Sequence, residues 1–303
     1  TVPCCRFLLH CTREIAIARK RPRRVLCFGT TLTRESDNPV QWPGFGALSV
    51  VERPESANIE KTMLKAIRRL FAREETAYPE ARVPAGQRIY AVGDIHGRLD
   101  LFEPLIAAIE ADDAAMAPAQ TTVILLGDLV DRGPDSARVI ARAREWQRRR
   151  TVRILAGNHE EMFLASFEKA ETLRHFLRFG GKETVLSYGI DRYAYQKASV
   201  EEVQAMMHAN VPAEDRAFIE SFEDTIAIGD YLFVHAGIAP EVPLDEQRTH
   251  DLRWIREPFL THPAPFGAVI VHGHTIADEP QDRGNRIGID TGAYLTGRLT
   301  ALV

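Results

Sequence analysis

An α/β fold is predicted by three features of this sequence. Short β-rich apolar runs alternate with stretches of helical periodicity. Those runs repeatedly end in a cluster of Gly, Asp, Asn or His. The chain's 303 residues suffice for one large α/β unit with an appendage.

Taken in order, residues 1–62 sustain neither a helical nor a strand period. They mix all four cysteines (Cys4, Cys5, Cys11, Cys27) with the basic run Arg19–Arg24 and breaks at Pro39, Pro43, Gly44, Gly46 and Pro54. The expectation is a disordered or non-native leader. Met63 then opens a short amphipathic helix to Phe71, a candidate natural start, and a linker covers the rest of 63–86. From residue 87 the pattern becomes regular. Strands are predicted at Ile89–Val92, Val123–Leu126 and Val152–Leu155, with helices from Leu99 to about Asp112 and from Ser136 to about Arg150 between them. That is β-α-β-α-β. Further strands are predicted at Tyr231–Val234 and Val269–Val271. Residues 160–222 interrupt the alternation with helical stretches at Met162–Phe179, Glu201–Met207 and Ala213–Phe222, read as a helical insert capping a site. Arg148-Arg149-Arg150 fits a helix C-terminus, where cations complement the dipole.

Composition excludes several classes. Hydrophobic residues make up 45% and charged residues 26%, ordinary for a globular protein. Residues 1–62 hold 10 Lys/Arg against 6 Asp/Glu, and the rest 28 against 36. An acidic body argues against tight non-specific nucleic-acid binding, which needs a basic footprint. No uncharged apolar stretch of about 18 residues is present, so no transmembrane helix or membrane partner is expected. Phe7-Leu8-Leu9 is too short for a signal-peptide core, and the charged pair Arg13 and Glu14 keeps it from extending. The body lacks cysteine and so lacks an internal disulfide, which points to the cytoplasm. The four cysteines have no paired spacing of a zinc site.

Five strand-end clusters carry chemistry. Gly93-Asp94-Ile95-His96-Gly97 offers a carboxylate and an imidazole two residues apart, a reasonable pair for a divalent transition metal, although a strand-end Asp is also a common turn former. Gly127-Asp128-Leu129-Val130-Asp131-Arg132-Gly133 admits two readings: a turn with a surface Asp131–Arg132 pair, or a bridging carboxylate at Asp128 with Arg132 as a phosphate clamp. Gly157-Asn158-His159-Glu160 supplies a neutral oxygen ligand and a proton donor, His159. His235-Ala236-Gly237 and His272-Gly273-His274-Thr275 add imidazoles in register. Together they suggest two ions roughly 3.5–4 Å apart. Asp94, His96 and Asp128 would hold one ion, and Asp128, Asn158, His235 and His274 the other.

The ordered set GDIHG, GDLVDRG, GNHE, HAG and HGHT resembles the calcineurin-like metallophosphoesterases. More narrowly it is similar to the bacterial and phage members of the phosphoprotein phosphatase family, over about residues 87–303. The resemblance implies a β-sandwich flanked by helices, in four layers α/β/β/α. It implies Asp94 and His96 as ligands of the first metal, Asp128 as the bridge, and Asn158, His235 and His274 on the second metal, with Asn158 also near substrate. Asp131 would orient the general acid His159, and Arg132 would bind phosphate. A second phosphate-binding arginine is expected within Asp251–Glu257, with Arg256 preferred to Arg253. Ile276 stands where many metallophosphoesterases carry an extra histidine, and His272 has no implied role. Asn285–Ala293 resembles the family's closing strand segment.

The implied activity is a serine/threonine protein phosphatase-type phosphomonoesterase, in which a hydroxide bridging two divalent metal ions attacks phosphorus in line. Mn is the first metal expected, while Fe, Zn or Co would suit the same ligands. The alternatives are a bis(nucleosyl)-tetraphosphatase-like hydrolase or a phosphodiesterase. A non-catalytic scaffold is disfavoured by the complete ligand set. A body without cysteine also excludes a cysteine nucleophile. Expected partners are a phosphorylated protein or a small phosphoester.

Overall fold

Successive side chains along the central strands face opposite cores, and this sets the layering. The computed structural model describes residues 16–20, 23–29 and 81–303. Ala16–Lys20 (β1) and Arg23–Gly29 (β2) pair antiparallel. Gln87–Val92 (β3), Gln120–Leu125 (β4) and Val152–Ile154 (β5) are parallel, joined by helices Leu99–Ala115 (α1) and Ser136–Arg149 (α2). After a helical region, Thr225–Ile228 (β6), Tyr231–Val234 (β7), Val269–His272 (β8), Gln281–Asp282 (β9) and Arg286–Gly288 (β10) make a second sheet in the order β6-β7-β8-β10-β9. The last strand, Arg298–Leu302 (β11), returns to the first sheet, whose order is β1-β2-β11-β3-β4-β5.

In β3, Ile89 and Ala91 point to one face while Tyr90 and Val92 point to the other; in β4, Ile124 opposes Val123 and Leu125. The first set meets Phe233, Val269, Val271 and Ile287 of the second sheet, forming a core between the sheets. The second set packs under α1 and α2 with Phe102, Ile109 and Trp146. On the far face, Leu232, Val234 and Ile270 pack against Leu252 and Phe259. Both faces of the central strands β3, β4, β7 and β8 are therefore covered, which is why they read as nearly continuous apolar runs. This is the helix-flanked sandwich that the family resemblance implied. No helix among the described residues is long and apolar enough to cross a membrane.

Two sequence readings are corrected. The absence of strand character in residues 1–62 does not hold for Ala16–Lys20 and Arg23–Gly29, where β2 gains main-chain partners from β11. The rest of that segment and the helix expected at Met63–Phe71 lie outside the described residues. Second, the helix expected over Met162–Phe179 is broken. Asn158–Ala165 (α3) starts earlier and stops where Ser166 Oγ donates back to the Met162 carbonyl at 2.6 Å. Ala170–Phe176 (α4) runs into a π-helical turn at Leu177–Gly181, then Lys182–Ser187 (α5), Arg192–Lys197 (α6), Val200–Asn210 (α7) and Ala213–Glu220 (α8) come in turn. The insert also packs onto the body of the fold. Phe163, Phe176, Val185, Met207 and Phe218 share one apolar cluster with α1 and α2.

Candidate active site

The carboxyl ends of β3, β4, β5, β7 and β8 deliver the chemistry-bearing residues, as α/β sheets do. Six non-glycine residues among those described have positive φ, and five are His96, Asp128, Asp131, Arg132 and His274. Each such backbone costs about 1–3 kcal/mol unless its surroundings impose it. Here they do: the amides of Ile95 and His96 both donate to the Asp128 carbonyl, at 3.1 and 2.8 Å, and the Gly97 amide donates to Leu129. The two loops after β3 and β4 thus hold each other in the strained form. Glycines make room alongside. A Cβ on Gly157 would lie 2.1 Å from Asp128 Oδ1, and one on Gly273 2.1 Å from Asp94 Oδ1.

Asp94, His96, Asp128, Asn158, His159, His235 and His274 are all buried and converge. Ligand atoms of His96, Asp128 and His159 lie within 4.8 Å of one another, as do those of Asp128, His235 and His274. Asp128 is common to both groups, the placement a bridging carboxylate requires. Asp94 faces His274, whose amide donates to its Oδ1 and Oδ2 at 3.2 and 3.0 Å. His159 Nδ1 donates to Asp131 Oδ2 at 2.6 Å. Its Nε2 accepts from Arg132 Nη2 at 3.1 Å, and Arg132 Nη1 donates to His96 Nε2 at 2.8 Å.

Charge in this pocket is destabilised from both directions. Burial, then the neighbouring Asp290 and Asp128 carboxylates, push the Asp94 carboxyl well above its ordinary range; burial does the same to Asp131. Burial holds His96 well below the usual imidazole range and pushes His235 down to about 4 and His274 to about 2. Divalent cations would resolve both tendencies, since they favour ionised carboxylates and require neutral imidazoles.

The donor set fits such ions on independent grounds. His96 Nδ1 donates to the Val130 carbonyl at 2.8 Å and His235 Nδ1 to the Leu126 carbonyl at 2.7 Å, so each presents an Nε2 lone pair inward. His235 Nε2 then faces Asn158 Oδ1 at 3.1 Å, two acceptors with no proton between them. His274 Nε2 is buried without a hydrogen-bond partner among the described residues. Four inward-facing acceptors and a shared carboxylate are what a cation pair needs and what a protein otherwise avoids.

The two candidate arginines are placed differently from Arg253. Arg253 is engaged by Asp224 at 2.7 Å and by Glu161 at 3.2 Å. Arg256 is exposed, pairs with no acid among the described residues, and its charge is felt at His274 and Asp290. His272 is no ligand: it packs edge-on to Phe259, with Nδ1 directed to the Gly273 carbonyl at 3.0 Å. Four residues escaped sequence reasoning. Glu160 takes the amides of Asp128 and Gly157 on Oε2 at 2.8 and 2.9 Å, and those of Leu129 and Val130 on Oε1 at 2.8 and 3.3 Å. Asp290 is buried beside Asp94. Tyr294 lies beneath Arg132, and Thr184 bonds Asp131. Only Glu160 and Asp290 carried a signal, as acids inside the GNHE motif and the closing strand segment.

Comparison with known proteins places these residues in context. The calcineurin-like phosphoesterase family pattern matches residues 87–295. Serine/threonine-protein phosphatase 1 of Salmonella typhimurium is 26% identical over 231 residues, 75% of this chain and 97% of that protein. The asymmetrical bis(5'-nucleosyl)-tetraphosphatase PrpE of Anoxybacillus flavithermus is 24% identical over 234 residues, 70% of this chain and 88% of that protein. A solved structure described as a candidate diadenosine tetraphosphatase superposes with a TM-score of 0.51 at 20% identity, covering 73% of this chain and 91% of its own. That last likeness concerns the fold alone.

Proposed function

Because the chain belongs to the calcineurin-like phosphoesterase family and is thus a phosphoester-hydrolysing enzyme, we propose that it acts as a serine/threonine protein phosphatase-type phosphomonoesterase with a two-cation centre. Asp94, His96 and Asp128 would hold one ion, and Asp128, Asn158, His235 and His274 the other. When bound, two divalent ions lower the pKa of water and offset charge on the phosphoryl oxygens. Mn is the first ion to try, and the cytoplasm remains the expected location.

The chain's own residues supply the rest. With an ion held in the centre, His96 Nε2 would give up its guanidinium donor, leaving Arg132 available to a phosphate oxygen. Arg132 and Arg256 then bind the phosphate, Arg132 through a planar fork that can meet two oxygens. Asp131 would stabilise a protonated His159 through Nδ1, and once Arg132 Nη2 turns from His159 Nε2 to the phosphate, that nitrogen can carry the proton given to the leaving oxygen. The buried 2.6 Å Asp131–His159 contact is the observation that carries the substrate reading. A serine or threonine alkoxide is a far stronger base than a departing nucleotide phosphate, so a monoester of an alcohol gains most from a positioned acid.

The second reading, a dinucleoside-tetraphosphate hydrolase, is supported by the PrpE relative, which aligns over most of its length. The deciding experiment loads the enzyme with Mn and compares kcat/KM on a phosphoserine or phosphothreonine peptide and on a dinucleoside tetraphosphate. Preference for the peptide is expected; preference for the tetraphosphate would install the second reading.

A further inference from the structure

The insert reaches into the proton-donor pair, and the residue that makes the contact is Thr184 of α5. Its Oγ1 donates to Asp131 Oδ1 at 2.5 Å and accepts the Asp131 amide at 2.8 Å. Ser136 Oγ, on the first turn of α2, lies 2.9 Å from Thr184 Oγ1 and also accepts the Asp131 amide, at 3.0 Å. Asp131, Ser136 and Thr184 are fully buried. Their proton inventory closes. The Thr184 proton goes to the carboxylate, the Ser136 proton goes to Thr184, and the Asp131 amide is shared between the two hydroxyls.

Two flanking contacts belong to the same clasp. The Gly180 carbonyl accepts the Arg132 amide at 3.0 Å, and Gly180 sits at φ 112 against Arg132, where a Cβ would meet Arg132 Cγ at 2.6 Å. Ser187 Oγ accepts the Ala137 amide at 3.0 Å. The segment from Gly180 to Ser187 therefore grips the loop that carries Asp131 and Arg132.

We propose that Thr184 is a positioning residue of the hydrolytic reaction, fixing one oxygen of Asp131 so that the other holds His159 in its proton-donating orientation. This rests on the assignment of His159 as general acid. Asp131 has two oxygens; His159 takes Oδ2 and Thr184 takes Oδ1, so the carboxylate plane is defined from both sides. Removing the hydroxyl leaves Oδ1 without its donor and the Asp131 amide short of an acceptor. The carboxylate then turns, and the imidazole turns with it. The insert thereby contributes to turnover through a residue that is not itself among the expected metal ligands.

The test uses full-length, metal-loaded enzyme and two monoesters. One has an alkyl leaving group; the other is 4-nitrophenyl phosphate, whose leaving group needs little protonation. Thr184→Val is expected to keep its metal content and to change KM by less than about threefold. It should lose up to about 10²-fold in kcat on the alkyl ester, the scale of loss for a displaced catalytic group, and much less on the aryl ester. Thr184→Ser, which restores the hydroxyl, is expected to recover most of the loss. Should Thr184→Val fail to fold, Thr184→Cys keeps the volume with a weak donor and is read the same way. Equal losses on both esters, no loss, or failure of Thr184→Ser to rescue would overturn the proposal. A parallel His159→Asn variant separates the two levels. If His159→Asn discriminates between the esters and Thr184→Val does not, Thr184 is merely structural and the parent reading stands. If neither discriminates, the assignment of His159 as acid falls, and this proposal with it.

Discussion

The guanidinium carbon of Arg132 stands 4.5 Å from the ring centre of Tyr294, while the same ring meets His96 edge-on at 5.3 Å. Tyr294 lies in the short helix Ala293–Thr296 (α9), just before β11. A cation–π contact of this kind contributes about 0.5–2 kcal/mol. Tyr294→Phe is expected to leave steady-state kinetics within about twofold. Tyr294→Leu removes the ring and should raise KM for a phosphomonoester by roughly 3–30-fold, with metal content unchanged. An unchanged KM would show that the ring does not support the arginine.

Glu160 is the keystone of the loop that carries Asp128. Its four amide contacts join the loop after β4 to the start of α3. A glutamine there would turn an NH₂ group against amides that need an acceptor. Glu160→Gln is expected to weaken metal binding by about 10–100-fold, as loss of a supporting partner does, and to lower Tm. Isothermal titration with Mn²⁺ measures the first and calorimetry the second. Glu161→Gln, next along the chain, disturbs only a partly exposed pair with Arg253 and should cost under about 1 kcal/mol. Equal effects of the two substitutions would remove Glu160 from that role.

The contrast between His235 and Thr184 explains how much is legible in the sequence. His235 comes after an apolar run and sits at a strand end, so run and cluster together announce both the strand and the ligand. All six expected ligands have that property. Thr184 has no such signature, since 53 positions separate it from Asp131 and only the fold unites them. Tyr294 is hidden for the same reason. The short strand β10 is announced by the family resemblance of Asn285–Ala293 and not by apolar pattern, because its buried Arg286 looks wrong for a strand; the guanidinium is accommodated by the Leu260 carbonyl at 2.9 Å. The break in the helix expected from Met162 to Phe179 is equally silent, because a serine turning back on its own helix leaves no mark on apolar periodicity.

His272 gives the metal-free protein an acid-side weakness. It is buried, and burial pushes its pKa down to about 3, against about 6.5 when unfolded. Below pH 6.5 the unfolded chain takes up the proton and the folded chain does not. The contribution to stability is thus complete above about 6.5 and is lost as pH falls towards 3, at about 1.4 kcal/mol per pH unit. His235, pushed down to about 4, adds to the same slope. Glu160 opposes it: its carboxyl, pushed up mainly by burial to about 7, favours the fold at low pH and loses that effect as pH rises through 7. Relative to wild type, metal-free His272→Asn is expected to lose less Tm, or gain more, between pH 6 and 4, whatever its Tm at pH 7. Parallel slopes would mean that His272 titrates normally.

The unpartnered Nε2 of His274 and the facing acceptors of His235 and Asn158 make metal-free protein the less stable form. A ligand that binds only the folded state adds about 2.7 kcal/mol at a hundredfold excess over Kd. For a domain of roughly 200 residues each kcal/mol moves Tm by about 2–4 °C, so saturating Mn²⁺ should raise it by about 5–10 °C. His274→Ala removes one acceptor from the second group and should cut the shift partially. Asp128→Asn touches both groups and should abolish most of it, together with activity. Chelation and then readdition of Mn²⁺ should reverse and restore the wild-type shift in a differential scanning measurement. A full shift in Asp128→Asn would place the bound ions elsewhere and remove Asp128 from the centre.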